Sequence, residues 1–260
     1  HIHEAEVTTE RAARLLGKPC GRYLTLSLEA LSRREEEAFP RSVRVLAALI
    51  ETLLPPLDSA APVLIAGLGS RSITPDAVGP RSADHVIATR HLISRSPEFF
   101  ASWRPVSVLA PGVLGQTGVE TGEIVRGVLD HVRPRAVIAI DALAAGRLSR
   151  LVRTVQLADT GIVPGSGVNN ARAALDRQTL GVPVLSIGVP TVADGGSLAH
   201  EIAQQLDGAQ CEALDDLSQP FIITTRDIDR EVADTARLIG YAVNMALQHI
   251  SVEEIDLYLS

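Results

Sequence analysis

Apolar positions along this chain fall into two rhythms. Short runs at 62–66, 106–110, 136–140, 152–157, 183–187 and 221–225 are rich in Val, Ile, Leu and Ala and lack regular polar alternation. Unbroken apolar runs of that length are what strands covered on both faces look like. Between them the period lengthens. Over 41–54, Val43, Leu46, Ala47, Ile50 and Leu54 recur at spacings of three and four and stop at Pro55-Pro56, which predicts a helix. Further helices are predicted at 83–93, 170–177, 198–206 and 225–249, the last carrying Ile228, Val232, Ala236, Ile239, Val243 and Ala246. Thr117-Gly-Val-Glu120 reads as a capping box opening another that reaches about Val132. Strand and helix alternate, so the pattern predicts an α/β fold: a mostly parallel twisted sheet with helices on both faces.

No repeat, low-complexity tract or long linker divides the 260 residues, and the whole chain is expected to form a single domain. No apolar run is long enough to span a membrane. Two cysteines, Cys20 and Cys211, cannot build a disulfide framework and form no CxxC pair for zinc. A net charge of −7 argues against gripping nucleic acid through its phosphates. Of the 24 basic residues only Lys18 is lysine, an excess of arginine that biased base composition explains as well as function does.

Several familiar motifs start and fail. Gly67-Leu-Gly69 meets Ser72 where a dinucleotide fingerprint needs its third glycine, and no phosphate-binding GxxxxGK[ST] occurs. Ser70 and Ser166 have glycine neighbours but neither completes GxSxG. His200-Glu201 begins a zinc-protease signature that Gln204 breaks, and His85, His91 and His131 are read as surface or structural.

In parallel sheets, ligands bind beyond the carboxyl ends of the strands. Asp76 lies in the loop leaving the 62–66 run, and Asp141 closes the 136–140 run. Both are therefore predicted at one edge of the sheet. Two neighbouring carboxylates do not both ionise readily, so one can activate water while the other donates a proton. Two blander roles compete: Asp76 as a helix N-terminal residue after Thr74-Pro75, and Asp141 as a turn residue. Backbone donors for an oxyanion or a substrate carbonyl are expected from Gly67 and Gly69, and from Gly115, Thr117 and Gly118 in the segment 110–118. Capping explains Thr117 equally well, and Asn170 reads as an N-cap.

Taken in order, the segments resemble the germination proteases of spore-forming bacteria. They are Leu16-Gly-Lys-Pro-Cys-Gly-Arg-Tyr-Leu-Thr25, Ala66-Gly-Leu-Gly69 with Thr74-Pro-Asp-Ala-Val-Gly-Pro80, and Ala110-Pro-Gly-Val-Leu-Gly-Gln-Thr-Gly118. Ala139-Ile-Asp-Ala-Leu-Ala144, Asp159-Thr-Gly161 with Pro164-Gly-Ser-Gly-Val168, Thr179-Leu-Gly-Val-Pro183 with Ile187-Gly-Val-Pro-Thr191, and Ile222-Ile-Thr-Thr-Arg-Asp-Ile-Asp229 follow. The resemblance implies an endopeptidase that degrades small acid-soluble spore proteins during germination. It further implies a cytoplasmic enzyme of the spore core, a homotetramer, and no metal or cofactor. An inactive precursor is implied too, whose N-terminal prosegment is absent from this chain, which begins at His1. The family's two essential aspartates fall on Asp76 and Asp141. Its fold is similar to that of hydrogenase maturation endopeptidases, which makes a metal-dependent peptidase the alternative; a non-catalytic ligand-binding module on the Gly67-Gly69 loop is a third reading. Two departures from the family pattern, Asn169-Asn170 and Val192-Ala-Asp194-Gly195, leave Asp194 as a possible third acid.

Overall fold

The computed structural model describes residues 1–165, 172–196 and 221–260. Its central strands come from the apolar runs. Val63–Leu68 forms β3, every residue of it buried, and Ala136–Ala145 forms β5, whose first six residues are buried. Around them lie β1 (Ile2–Val7), β2 (Gly21–Ser27), β4 (Val106–Gly112), β6 (Thr154–Ala158), β7 (Val184–Asp194) and the short β8 (Ile222–Ile223). They join in one 8-stranded sheet ordered β1-β2-β6-β7-β5-β3-β4, with β8 on β7. The centre, β7-β5-β3-β4, is parallel; β6, β2 and β1 continue it antiparallel to one another, and β8 pairs antiparallel with β7. The α/β class stands, with a mixed, mostly parallel sheet.

The helices are α1 (Glu10–Leu16), α2 (Glu29–Ser32), α3 (Ala38–Leu53), α4 (Val78–Asp84), α5 (Arg90–Arg95), α6 (Pro97–Phe100), α7 (Leu114–Thr117), α8 (Thr121–Val132), α9 (Arg177–Leu180), α10 (Ile228–Gln248) and α11 (Val252–Leu259). Alternate residues of one strand serve the two faces of the sheet. Val63, Ile65, Ile138 and Ile140 join Val43, Leu46 and Ile50 of α3 and Val232, Ile239 and Val243 of α10 in the larger core. Leu64, Ala66, Val137 and Ala139 meet Val125 and Leu129 of α8 in the smaller one.

Several sequence expectations shift. The N-terminal strands were not legible: β1 is exposed at five of its six positions, so it carries almost no apolar signal. The helix expected at 83–93 divides into α4 and α5. Buried Asn244 draws the intervening backbone away, its Oδ1 accepting from the Ile87 N–H and its Nδ2 donating to the His85 carbonyl. Thr117 ends α7 instead of opening the next helix; the capping box of α8 is Glu120 with Glu123. Over 172–176 the chain is not helical, and Leu175 bridges to Ile162. The expected helix at 198–206, along with Ser166, Asn169, Asn170, His200, Gln204 and Cys211, lies outside the described residues. Among the described residues no helix is long and apolar enough to cross a membrane.

Candidate active site

The site is built where β3 ends, beside the middle of β5. After Leu68 the chain reverses at Gly69, whose φ is +106°. A Cβ there would lie 2.1 Å from the Asp76 carbonyl oxygen, so only glycine lets the loop fold back on itself. The returning segment, Thr74–Asp76, is one turn of 3₁₀ helix with Pro75 in it. Two neighbours pin it, one of them braced by a third. Thr191 Oγ1, fully buried on β7, donates to the Pro75 carbonyl at 2.6 Å. Thr224 Oγ1 donates to the Thr191 carbonyl at 2.8 Å, and Thr74 Oγ1 donates to Asp229 on α10 at 2.7 Å.

These anchors fix the Asp76 carboxylate, whose Oδ2 accepts the Ser70 N–H at 2.7 Å. Asp76 is partly buried, and burial holds its carboxyl above the usual carboxylate range while the Ser70 N–H pulls it back. Asp141 is the more extreme case. It stands on β5 between Ile140 and Ala142, 5% exposed. Burial first, and the negative charge of Asp76 second, push its carboxyl up to about 7, opposed by the Ala142 N–H that Oδ1 accepts at 2.9 Å. A carboxyl that keeps its proton to near neutrality thus sits beside one better placed to be ionised. Such a pair can give one proton and take another.

The sequence placed Asp141 at a strand end; β5 instead runs on to Ala145, so Asp141 is held rigidly within the ladder, opposite Gly188 of β7. Gly67 and Gly69 also differ from expectation. A Cβ on Gly67 would lie 2.3 Å from the Gly79 carbonyl oxygen, so the space at both glycines is filled by this chain's own backbone. They shape the site and leave no room there for substrate. Gly115, Thr117 and Gly118 lie on an exposed connection between β4 and α8, with open space around both glycines. The Thr117 and Gly118 N–H groups are donated to the Val113 and Leu114 carbonyls, which removes two of the expected oxyanion donors. Asp194 is exposed at the far end of β7, six residues beyond Gly188 and therefore about 20 Å along the strand from the Asp141 level.

Three contributing residues escaped the sequence reading. Ser70 supplies the N–H to Asp76, Thr191 holds Pro75, and Gln116 bridges to the Ser70 and Ser72 hydroxyls. Among the described residues no group of three or more His, Cys, Asp or Glu side chains converges as a metal site.

The germination protease family matches residues 1–207. A germination protease of Caldanaerobacter subterraneus subsp. tengcongensis is 39% identical over 95% of this chain and 84% of its own. That of Clostridium perfringens is 33% identical over 100% of this chain and 88% of its own, and that of Bacillus subtilis 45% identical over 77% and 55%. Among solved structures, the NiFe hydrogenase maturation protease HycI of Thermococcus kodakarensis aligns with a TM-score of 0.41 and 17% identity, over 75% of this chain and 99% of that one. With relatives this similar over nearly its whole length, the chain belongs to the germination protease family.

Proposed function

We propose that this chain is an endopeptidase that hydrolyses small acid-soluble spore proteins during spore germination, using a water activated between Asp76 and Asp141. The observation that carries the mechanism is the burial of Asp141 within an apolar strand beside a second carboxyl. Among the described residues an acid so placed has no ion-pair partner to justify its burial, and a proton-transfer role supplies the reason. The relatives' shared name supports the setting.

In this reading ionised Asp76 takes a proton from water as the water oxygen bonds to the peptide carbonyl carbon. Asp141 gives its proton to the carbonyl oxygen. When the tetrahedral intermediate collapses, the C–N bond breaks and the amine nitrogen takes the proton held by Asp76. The hydroxyl that was the carbonyl returns its proton to Asp141, which restores the starting state. The same reading treats residues 1–260 as one peptidase domain made as an inactive precursor and working as a homotetramer in the spore core.

The test is incubation of a purified small acid-soluble spore protein with the wild type, Asp76→Asn and Asp141→Asn, with fragments followed by mass spectrometry. Each variant is expected to lose at least about a hundredfold in rate. Near-normal cleavage by either would sink the two-carboxylate mechanism; no cleavage by the wild type would sink the substrate.

A further inference from the structure

Gln116 sits on α7, on a different strand connection from either aspartate, with its side chain exposed. An exposed amide usually points to water. This one donates through Nε2 to the Ser70 hydroxyl at 2.8 Å and to the Ser72 hydroxyl at 3.1 Å, while the two hydroxyls bond each other at 2.9 Å. Ser70 is 1% exposed, and its own N–H is the donor to Asp76 Oδ2. Gly112, at φ +77°, makes room for the reach: a Cβ there would lie 3.3 Å from Gln116 Oε1. We propose that Gln116 is a positioning residue, a clamp from the β4–α8 connection that holds the Ser70–Ser72 turn so that the Ser70 N–H stays aimed at Asp76.

Among the described residues the turn is also tied to α4 by the exposed, two-point Arg71–Asp84 ion pair, and Gln116 supplies its tie to the β4–α8 connection. Without Gln116 the turn loses its link to β4, and the Ser70 N–H no longer has one fixed direction. Asp141 on β5 is the charged group coupled to Asp76; nearby, Asp229 on α10 bonds Thr74, and Arg71 of the same loop pairs with Asp84 of α4. None of them changes when Gln116 is replaced by alanine, so a shift in Asp76 in that variant reports the clamp.

The clamp matters for cleavage only if Asp76 acts as proposed above, so its test has a readout apart from activity. Carbon-13 carboxyl NMR titration of the full chain follows Asp76 in the wild type, Gln116→Ala and Gln116→Glu. Gln116→Ala is expected to raise the Asp76 midpoint by about half a pH unit, near threefold in its ionisation constant. Gln116→Glu is expected to raise it further, since the new carboxylate adds a negative charge. In cleavage assays the acidic limb of kcat should move the same way with KM unchanged. In a Ser70→Ala/Ser72→Ala background, Gln116→Ala should have no further effect on the midpoint. An unmoved midpoint in Gln116→Ala, whatever Gln116→Glu does, or full additivity in that background, would overturn the clamp. A midpoint that moves while the cleavage profile does not upholds the clamp and removes Asp76 from the catalytic reading instead.

Discussion

Gly79 of α4 rests on the backbone of β5 one residue before Asp141: a Cβ built on it would stand 2.4 Å from the Ile140 carbonyl oxygen and 2.2 Å from that of Leu68. The contact is backbone against backbone, so nothing flexible can yield. It seats the helix that follows the Asp76 turn directly on the strand that carries Asp141. Gly79→Ala must push α4 off the sheet, and we expect a loss of about 1–3 kcal/mol or more in urea unfolding. Cleavage should fall further than stability predicts, because a shift of about 1 Å at a catalytic group costs around a hundredfold. Gly115→Ala is the control, with nothing within 4 Å of its Cβ, and should leave stability within about 0.5 kcal/mol.

Asp141 makes the fold less stable when it ionises. Its carboxyl titrates near 7 in the folded chain against an ordinary value of 3.8, so between those limits the unfolded chain has released a proton that the native one keeps. Stability from this group is therefore complete below about pH 4, declines as pH rises toward 7, and levels off above it, a difference on the order of 4 kcal/mol. Asp141→Asn keeps an oxygen for the Ala142 N–H and cannot ionise. In denaturant unfolding it should be more stable than the wild type at pH 8 and nearly equal at pH 4, while being inactive. A variant no more stable at pH 8 would mean that Asp141 is not held protonated.

The sheet centre was readable because β3 and β5 are covered on both sides, and double coverage demands unbroken apolar runs. β2 shows the opposite case: Leu24 and Leu26 are buried but alternate with half-buried Tyr23 and Thr25, too brief a signal to separate from a loop. The length of β5 was hidden by Asp141 itself, which interrupts the apolar run, and by half-buried Ala142, Leu143 and Ala144 after it. Asp141 draws attention in the sequence because an acid next to a buried strand is a local anomaly. Ser70, Gln116 and Thr191 do not, because their roles exist only through contacts between distant loops, and hydroxyl or amide side chains carry no periodic mark.

Thr191 offers a test of how the Asp76 turn is supported. Its hydroxyl is buried and donates to the Pro75 carbonyl, next to Asp76. Thr191→Val keeps the shape and removes the donor, leaving that carbonyl without it. We expect a loss of about 1–3 kcal/mol in denaturant unfolding. Thr191→Ser retains the hydroxyl and should keep most of the cleavage rate, so the two variants separate the hydrogen bond from packing.

The pair also fixes the pH dependence of cleavage. The proposed mechanism needs Asp76 ionised and Asp141 protonated, and both carboxyls are raised, Asp141 to about 7. Activity should rise on the acidic side as Asp76 loses its proton and fall on the basic side through about pH 7 as Asp141 loses its own, giving a bell whose two limbs belong to the coupled pair. The profile of kcat/KM against an acid-soluble spore protein checks this. Gln116→Ala should move chiefly the acidic limb, because the Ser70 N–H bonds Asp76 while Asp141 is bonded by Ala142. A flat profile from pH 6 to 9 would show that no buried carboxylic acid delivers the proton. A water activated without Asp141's help would then have to carry the reaction.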